Sequence, residues 1–196
     1  ARMLAKQGLE VDAADASEAM LRQARAQSGS ESIAWVHAPM DTLSQAVTGP
    51  FDTVLCLGNS LPHLLAEDQL HATLHGFTRL LAPEGVAVVQ LLNYDRILAR
   101  RERIVGVTRR GNTEFIRFYD FLPQRVRFNI LELHWENESC THTLHQTELR
   151  PYRAEALSAA FVNAGFKQPA LYTNPQQKTF SPLTSETVLI VARRKD

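Results

Sequence analysis

Three polar segments of the chain have residue types that could bind a ligand. Asp15 follows an apolar run, and its carboxylate could accept hydrogen bonds from both ribose hydroxyls of a nucleotide-like cofactor. The segment Leu57-Gly58-Asn59 combines a glycine, which permits close backbone approach, with a polar side chain, and His63 follows it. The third segment is Asn93-Tyr94-Asp95. Each segment has a structural alternative, because Asp, Asn and Ser are also common in turns and helix caps.

Other catalytic arrangements find little support in the sequence. Ser60 does not lie in a Gly-x-Ser-x-Gly elbow, and the chain has neither a Walker lysine loop nor a Gly-x-Gly-x-x-Gly run. His71 and His75 have metal-ligand spacing on a predicted helix, but no third ligand accompanies them. We therefore expect no metal site. His145 is a candidate for a substrate contact.

The polar segments need elements that bring them together, and the first half of the chain predicts a sheet. Apolar runs predict strands at 9–14, 33–37, 51–58 and 86–92, with helices at 18–27 and 66–81 between them. This alternation predicts a Rossmann-like α/β fold with a doubly wound, mostly parallel sheet. Ligands of such sheets bind at the carboxyl ends of the strands, where all three polar segments lie.

The pattern changes to antiparallel after Asn93. We predict strands at 104–109, 113–121, 125–135 and 139–149, with turns at Gly111-Asn112 and Asn137-Glu138. Residues 103–150 would be an antiparallel β meander inserted into a single domain of residues 1–196, as a substrate lid or a dimer interface. A helix at 153–164 and a strand at 187–192 complete the expected domain.

Composition excludes several classes of function. Lys and Arg total 21, and Asp and Glu total 21, so no general field recruits nucleic acid or an anionic membrane. No apolar run approaches the roughly 18–20 residues of a membrane helix, and no signal peptide is recognisable. We predict a cytoplasmic protein in which Cys56 and Cys140 are free thiols.

Together these segments resemble the class I S-adenosylmethionine-dependent methyltransferases, and most closely the glycine/sarcosine N-methyltransferase subgroup. The resemblance rests on Asp15-Ala16-Ser17 with Met20-Leu21, on Cys56-Leu57-Gly58-Asn59-Ser60 with His63-Leu64, and on Asn93-Tyr94-Asp95 with Ile97-Leu98. It covers nearly the whole chain but is only architectural beyond Leu98. It implies S-adenosylmethionine as the cofactor and methyl transfer to a small-molecule acceptor, for which we favour an amine.

The resemblance also implies a set of cofactor contacts, with Asp15 at the ribose and Pro39 beside the adenine. The set consists of Asp15, Ala16, Met20, Pro39, Met40, Asp41, Leu57, Gly58 and Asn59. Asn59 and His63 would border the acceptor. From their positions we further expect acceptor contacts from Asn93, Tyr94, Arg117 and Tyr119. In catalysis, His63 or His145 would serve as a base where the acceptor carries a proton, with Tyr94 and Tyr119 as positioning hydroxyls.

Two departures from the family pattern refine these expectations. Leu92 stands where the glycine-binding members have an arginine that pairs with the substrate carboxylate, and leucine cannot make that pair. The family's glycine-rich loop and first strand do not occur in this sequence. We expect roughly 40–60 further residues upstream, and either a gap in the sheet between the strands at 9–14 and 51–57 or another segment that fills it.

Two other functions remain open at this point. A Rossmann-type oxidoreductase with a nucleotide cofactor would also use Asp15 at a ribose. A non-catalytic subunit that keeps the methyltransferase fold is compatible with the changes at Pro39 and Leu92.

Overall fold

A computed structural model describes residues 1–27, 29 and 32–196. Its helices are α1 (Arg2–Ala5), α2 (Glu18–Arg25), α3 (Leu43–Ala46), α4 (Glu67–Leu80), α5 (Tyr94–Arg100) and α6 (Ala154–Asn163). Its strands are β1 (Val11–Asp15), β2 (Ile33–His37), β3 (Phe51–Cys56), β4 (Leu81–Leu92), β5 (Ile104–Arg110), β6 (Thr113–Phe121), β7 (Val126–Glu136), β8 (Ser139–Leu149), β9 (Ala170–Tyr172) and β10 (Thr187–Arg193). Short 3-10 turns lie at Met40–Thr42 and Leu61–His63.

The α/β part of the molecule contains two sheets. Strands β1 and β2 pair in parallel, and a second sheet has the order β3-β4-β10-β9. The α/β alternation was predicted, but the second sheet is less parallel than predicted, because β10 runs antiparallel to both β4 and β9. No helix lies between β9 and β10 in the described chain, and a parallel pair would require such a crossover.

The two sheets are not joined to each other. Over the described residues, no ladder of hydrogen bonds connects β1 or β2 with β3. The expected gap between the strands at 9–14 and 51–57 is therefore confirmed.

The main core lies between the second sheet and helices α4 and α6. Buried side chains alternate along β4, and α4 buries Leu70, Leu74 and Phe77 on one face, as its spacing predicts. Helix α6 adds Phe161, whose ring packs edge-on against Phe166 at 5.2 Å. None of the helices described is long and apolar enough to cross a membrane.

The chain makes an irregular entry into β4. Phe51 pairs with Leu81, but Thr53 already pairs with Val86, so the residues between Leu81 and Val86 bulge out of the ladder. Glu84 has a φ of 59° in this bulge. Strand β4 thus begins five residues before the strand predicted at 86–92. A Cβ added at Gly85 would lie 2.9 Å from the Ala82 carbonyl oxygen, so the bulge needs glycine there.

The second half of the chain forms a four-stranded antiparallel sheet in the order β5-β6-β7-β8. Register and strand alternation place Tyr119 and Phe128 side by side, with ring centroids 5.6 Å apart. Arg117, Ile130 and His145 form the next row on the same face. This face buries Tyr119, whereas β8 is exposed along almost its whole length.

Candidate functional site

Asp15 lies at the carboxyl end of β1 with part of its carboxylate available. Its Oδ1 accepts a hydrogen bond from the Ser17 backbone N–H at 2.8 Å, and Ser17 in turn caps α2. Oδ2 makes no hydrogen bond to any residue that the structure describes. The capping role and the ligand role are therefore compatible, because one oxygen serves each.

The segment after β2 starts beside Asp15. The Ala38 N–H donates to the Asp15 carbonyl at 3.1 Å, and Pro39, which is exposed, follows. Met40 reaches the end of β3, where its sulfur lies 3.7 Å from Cys56 Sγ. Asp41 points toward α4 and accepts a hydrogen bond from Gln69 at 3.4 Å.

Two other predicted contacts, Ala16 and Met20, lie on the α2 side of Asp15. The Ala16 carbonyl lies 3.0 Å from Nε2 of His37, at the end of β2. The Met20 side chain is 55% exposed on α2.

Hydrogen bonds to β4 fix the conformation of the turn after β3. Gly58 and Asn59 have positive φ values of 75° and 64°, and Leu57 beside them is exposed. Gln90 fixes both residues, because its side-chain oxygen accepts from the Gly58 N–H at 2.8 Å and its carbonyl accepts from the Asn59 N–H at 3.1 Å. Sequence reasoning missed Gln90. The signal available was a lone polar residue inside the apolar run 86–92.

The Asn59 side chain connects three elements at this edge. Its Nδ2 donates to the Tyr94 hydroxyl at 3.1 Å, and its Oδ1 accepts from the Leu92 N–H at 3.0 Å. Tyr94 is 1% exposed, and burial raises the pKa of its hydroxyl. Tyr94 is thus a neutral hydrogen-bonding group at physiological pH and not a base.

Tyr119, on β6 of the antiparallel sheet, interacts electrostatically with Tyr94. Burial raises the pKa of its hydroxyl as well, and the charge of an ionised Tyr119 would raise the pKa of Tyr94 further. Asn59 and Tyr94 are in direct contact, whereas Tyr119 acts on Tyr94 only through its charge and makes no hydrogen bond to either residue within the described chain.

Asn93 has a different role from the one predicted. Its Oδ1 accepts from the backbone N–H groups of Asp95 and Arg96, and so caps α5. Its Nδ2 lies within 2.8–3.4 Å of the carbonyl oxygens of Ser181, Pro182 and Ser185. The prediction that Asn93 contacts the acceptor is not supported, because the side chain is 1% exposed and its polar atoms are used within the protein.

The remaining acceptor candidates lie farther from the Asn59–Tyr94 pair. His63 is exposed in its 3-10 turn. Arg117 donates to Thr108 Oγ1 at 2.9 Å, and His145 Nε2 lies 3.5 Å from Glu132 Oε2. Within the described chain none of the three is hydrogen-bonded to Asn59 or Tyr94, so the structure does not gather them with the pair.

Comparisons with known proteins support the sequence resemblance. Residues 1–85 match a family model described as a methyltransferase domain. The chain is 35% identical over 98 residues to the glycine/sarcosine/dimethylglycine N-methyltransferase of Actinopolyspora halophila, covering 48% of this chain and 17% of that protein. It is 35% identical over 97 residues to the glycine/sarcosine N-methyltransferase of Halorhodospira halochloris, covering 48% and 36%. The matches thus span little more than a third of these relatives at most.

Solved structures extend the likeness to the whole fold. The CcbJ methyltransferase from Streptomyces caelestis aligns with a TM-score of 0.83 at 22% identity, covering 98% of this chain and 78% of that one. An S-adenosylmethionine-dependent methyltransferase from Clostridium acetobutylicum aligns with a TM-score of 0.80 at 15% identity, covering 94% and 75%. Residues 1–85 are therefore similar to a methyltransferase domain, and the chain has the fold of solved S-adenosylmethionine-dependent methyltransferases.

Proposed function

We propose that this protein transfers a methyl group from S-adenosylmethionine to a small-molecule acceptor, and that the acceptor atom is an amine nitrogen. One observation carries the proposal. The available Asp15 carboxylate oxygen lies at the carboxyl end of β1, and the open turn at Gly58 and Asn59 follows the carboxyl end of β3, which is where α/β folds bind their ligands.

The residues at this edge fit the cofactor by their chemistry. Asp15 would hold the ribose hydroxyls, with Ala16 and Met40 against the adenine. A Cβ added at Gly58 would meet no atom within 4 Å, so there is room beside this turn for the methionine part. When bound, S-adenosylmethionine supplies a methyl group already activated by its sulfonium, so the protein contributes alignment and exclusion of water.

The acceptor side is built from neutral hydrogen-bonding groups. The buried Tyr94 hydroxyl accepts from Asn59 Nδ2 and can donate to Asn59 Oδ1 at 3.4 Å, so Tyr94 would position the Asn59 side chain and not contact the acceptor itself. Leu92, half-buried at the end of β4, provides no cation for a carboxylate. This favours an amine whose carboxylate, if it has one, is bound elsewhere.

The names of similar proteins support nitrogen as the acceptor atom. The curated relatives are glycine/sarcosine N-methyltransferases. Among the solved structures, CalS10 is described as an amino pentose methyltransferase and KedS8 as a sugar N-methyltransferase, with TM-scores of 0.73 and 0.69.

The antiparallel sheet β5–β8 is the part of the molecule that we propose as the acceptor lid. It contributes Tyr119, whose charge when ionised would act on Tyr94, and Arg117 lies about 7 Å farther along the same face, two residues along the strand. Its alternative role as a dimer interface stays a prediction. So do the cytoplasmic location and the absence of nucleic-acid and membrane partners, which the balanced charge supports.

Equilibrium binding of S-adenosylmethionine, measured by calorimetry, tests the proposal. Asp15→Asn keeps the oxygen that accepts from Ser17 but removes the charge that would hold two hydroxyls. We expect this change to weaken binding more than about tenfold, since hydrogen bonds to charged groups contribute about 1.5–3 kcal/mol. Asp12→Asn is the matched control, because Asp12 is an exposed carboxylate of the same strand.

Equal affinities of the two variants would remove Asp15 from the site. No saturable binding by the wild-type protein at millimolar cofactor would reject the function itself. Formation of S-adenosylhomocysteine with amine acceptors, and not with the matching alcohols, would establish the acceptor atom.

A further inference from the structure

Two arginines meet at the open end of the antiparallel sheet. The last pair of the β7–β8 ladder is Val126 with Leu149, and Arg125 and Arg150 lie just outside it, directly before β7 and directly after β8. Like charges at such close positions repel each other. One carboxylate offsets this pair, because Glu67 Oε2 accepts from Arg150 Nη2 at 3.0 Å.

These arginines line a cavity of about 520 Å³. Its walls are Leu65, Ala66, Glu67, Gln124, Arg125 and Arg150. Arg125 donates to the Gln124 carbonyl at 3.1 Å and to no other group that the structure describes, so most of its guanidinium N–H groups are available. With two cations and one carboxylate, the charged groups lining the cavity have a net positive charge.

Both guanidinium groups interact electrostatically with the Tyr152 hydroxyl. Tyr152 is buried, and its hydroxyl donates to the Leu64 carbonyl at 2.7 Å. Burial raises the pKa of this hydroxyl, whereas Arg150 and Arg125 both lower the pKa and Glu67 raises it. The three charged residues that line the cavity therefore all act on Tyr152 as well.

We propose that this cavity binds a small oxyanion, a carboxylate or a phosphate group, between the guanidinium groups of Arg125 and Arg150. A guanidinium presents parallel N–H donors that match two oxygens of either group. A bound anion would reduce the repulsion between the two arginines. Glu67 reduces it only in part, because its carboxylate is hydrogen-bonded to Arg150. The site is separate from the cofactor edge, so it does not depend on the proposed methyl transfer.

The position of the cavity connects it with the acceptor side. The backbone N–H of Arg150 donates to the Pro62 carbonyl at 2.8 Å, and the Tyr152 hydroxyl donates to the Leu64 carbonyl. These carbonyls flank His63 in the sequence. Residues 150 and 152 therefore connect the cavity with the segment that carries His63.

Amide NMR titration of the ¹⁵N-labelled protein tests the proposal, with inorganic phosphate and acetate as separate probes and sodium chloride holding the ionic strength constant. We expect saturable shifts centred on residues 65–67 and 124–125. Arg125→Gln should weaken binding about tenfold or more, because it removes a charge-assisted fork. Arg125→Lys, which keeps the charge, should weaken binding less. It replaces Arg125→Gln in the titration if the glutamine variant does not fold.

Arg110→Gln is the matched control, since Arg110 is an exposed arginine at the end of β5. It should bind both probes like the wild-type protein. Binding of either probe with this dependence on Arg125 supports the site, and the tighter probe identifies the group. Absence of saturable shifts with both probes, or equal affinity in Arg125→Gln and Arg110→Gln, would overturn the proposal.

Discussion

Two asparagines illustrate what residue type alone can and cannot predict. Asn59 and Asn93 both follow strands of the second sheet, and both were expected at a ligand site. The structure gives Asn59 a turn with positive φ and a bond to Tyr94, whereas Asn93 is buried as a helix cap. The side chain is the same donor and acceptor in both roles. The difference depends on the loop at 181–186, which lies about ninety residues away in sequence and was invisible to local patterns.

At the residue scale, the buried phenol of Tyr94 gives a pH-dependent stability. Burial raises the pKa of Tyr94 above its ordinary value of 10.0, so the unfolded chain loses this proton first. The stability from this group is complete below about pH 10 and is lost as the pH rises toward the folded pKa, with a slope of up to about 1.4 kcal/mol per pH unit. Tyr94→Phe should make the decline shallower.

Urea unfolding between about pH 9 and pH 11 measures this effect. Burial also raises the pKa of Cys56, to about 11, and those of Tyr119 and Tyr152, and these groups remain in both proteins. They therefore act as an internal control. The same slope in the wild-type and Tyr94→Phe proteins would contradict the assignment.

At the scale of elements, predictions succeeded where turn chemistry and periodicity agreed. Strands β6 and β8 have the predicted bounds, because Gly111 and Asn137 adopt positive φ values of 58° and 53° in the turns before them. Strand β9 was missed, since its three residues are too few to show a period. Helix α5 was foreseen only as a cap at Asn93, because its seven residues follow a strand directly.

The two roles of Asn93 at the joint between β4 and α5 can be separated by mutation. Asn93→Asp keeps the oxygen that caps α5 but loses the donor to the loop at 181–186, whereas Asn93→Ala loses both. We expect both variants to expose the loop to hydrogen exchange. Only the alanine variant should also lose the cap, at an additional cost of about 1 kcal/mol.

Urea unfolding together with peptide-resolved hydrogen exchange measures both effects. Asn112→Ala, at an exposed turn of the antiparallel sheet, is a matched control and should leave the loop protected. Retained protection of residues 181–186 in Asn93→Asp would show that the carbonyl contacts do not hold the loop.

Across the whole molecule, local pattern predicted the order of elements but not how strands assemble. The alternation of strands and helices was correct through β4, yet the mixed direction of the second sheet depends on β10, which pairs with β4 across about a hundred residues. The buried residues of the main core all lie at Cys56 or beyond it. Strands β1 and β2 therefore pack outside that core.

This uneven distribution of the core predicts a difference in local stability and a link to the proposed cofactor. Segments with few buried apolar contacts open at low free energy, so the amides of β1 and β2 should exchange hydrogen faster than those of β4 and β10. If Asp15 holds the cofactor, S-adenosylmethionine binds only the state in which β1 and β2 are folded. At 100 times Kd it should stabilise β1 and β2 by about 2.7 kcal/mol, which slows exchange about 100-fold.

Hydrogen exchange followed by mass spectrometry, with and without S-adenosylmethionine, measures this protection. In the Asp15→Asn variant the cofactor should protect β1 much less, whereas in Asp12→Asn it should protect β1 as in the wild-type protein. Because the two variants lose the same charge from the same strand, a difference between them reports contact with the ligand and not the charge of the strand. Protection confined to β4 and the turn after β3, or equal protection of β1 in both variants, would place the cofactor away from Asp15.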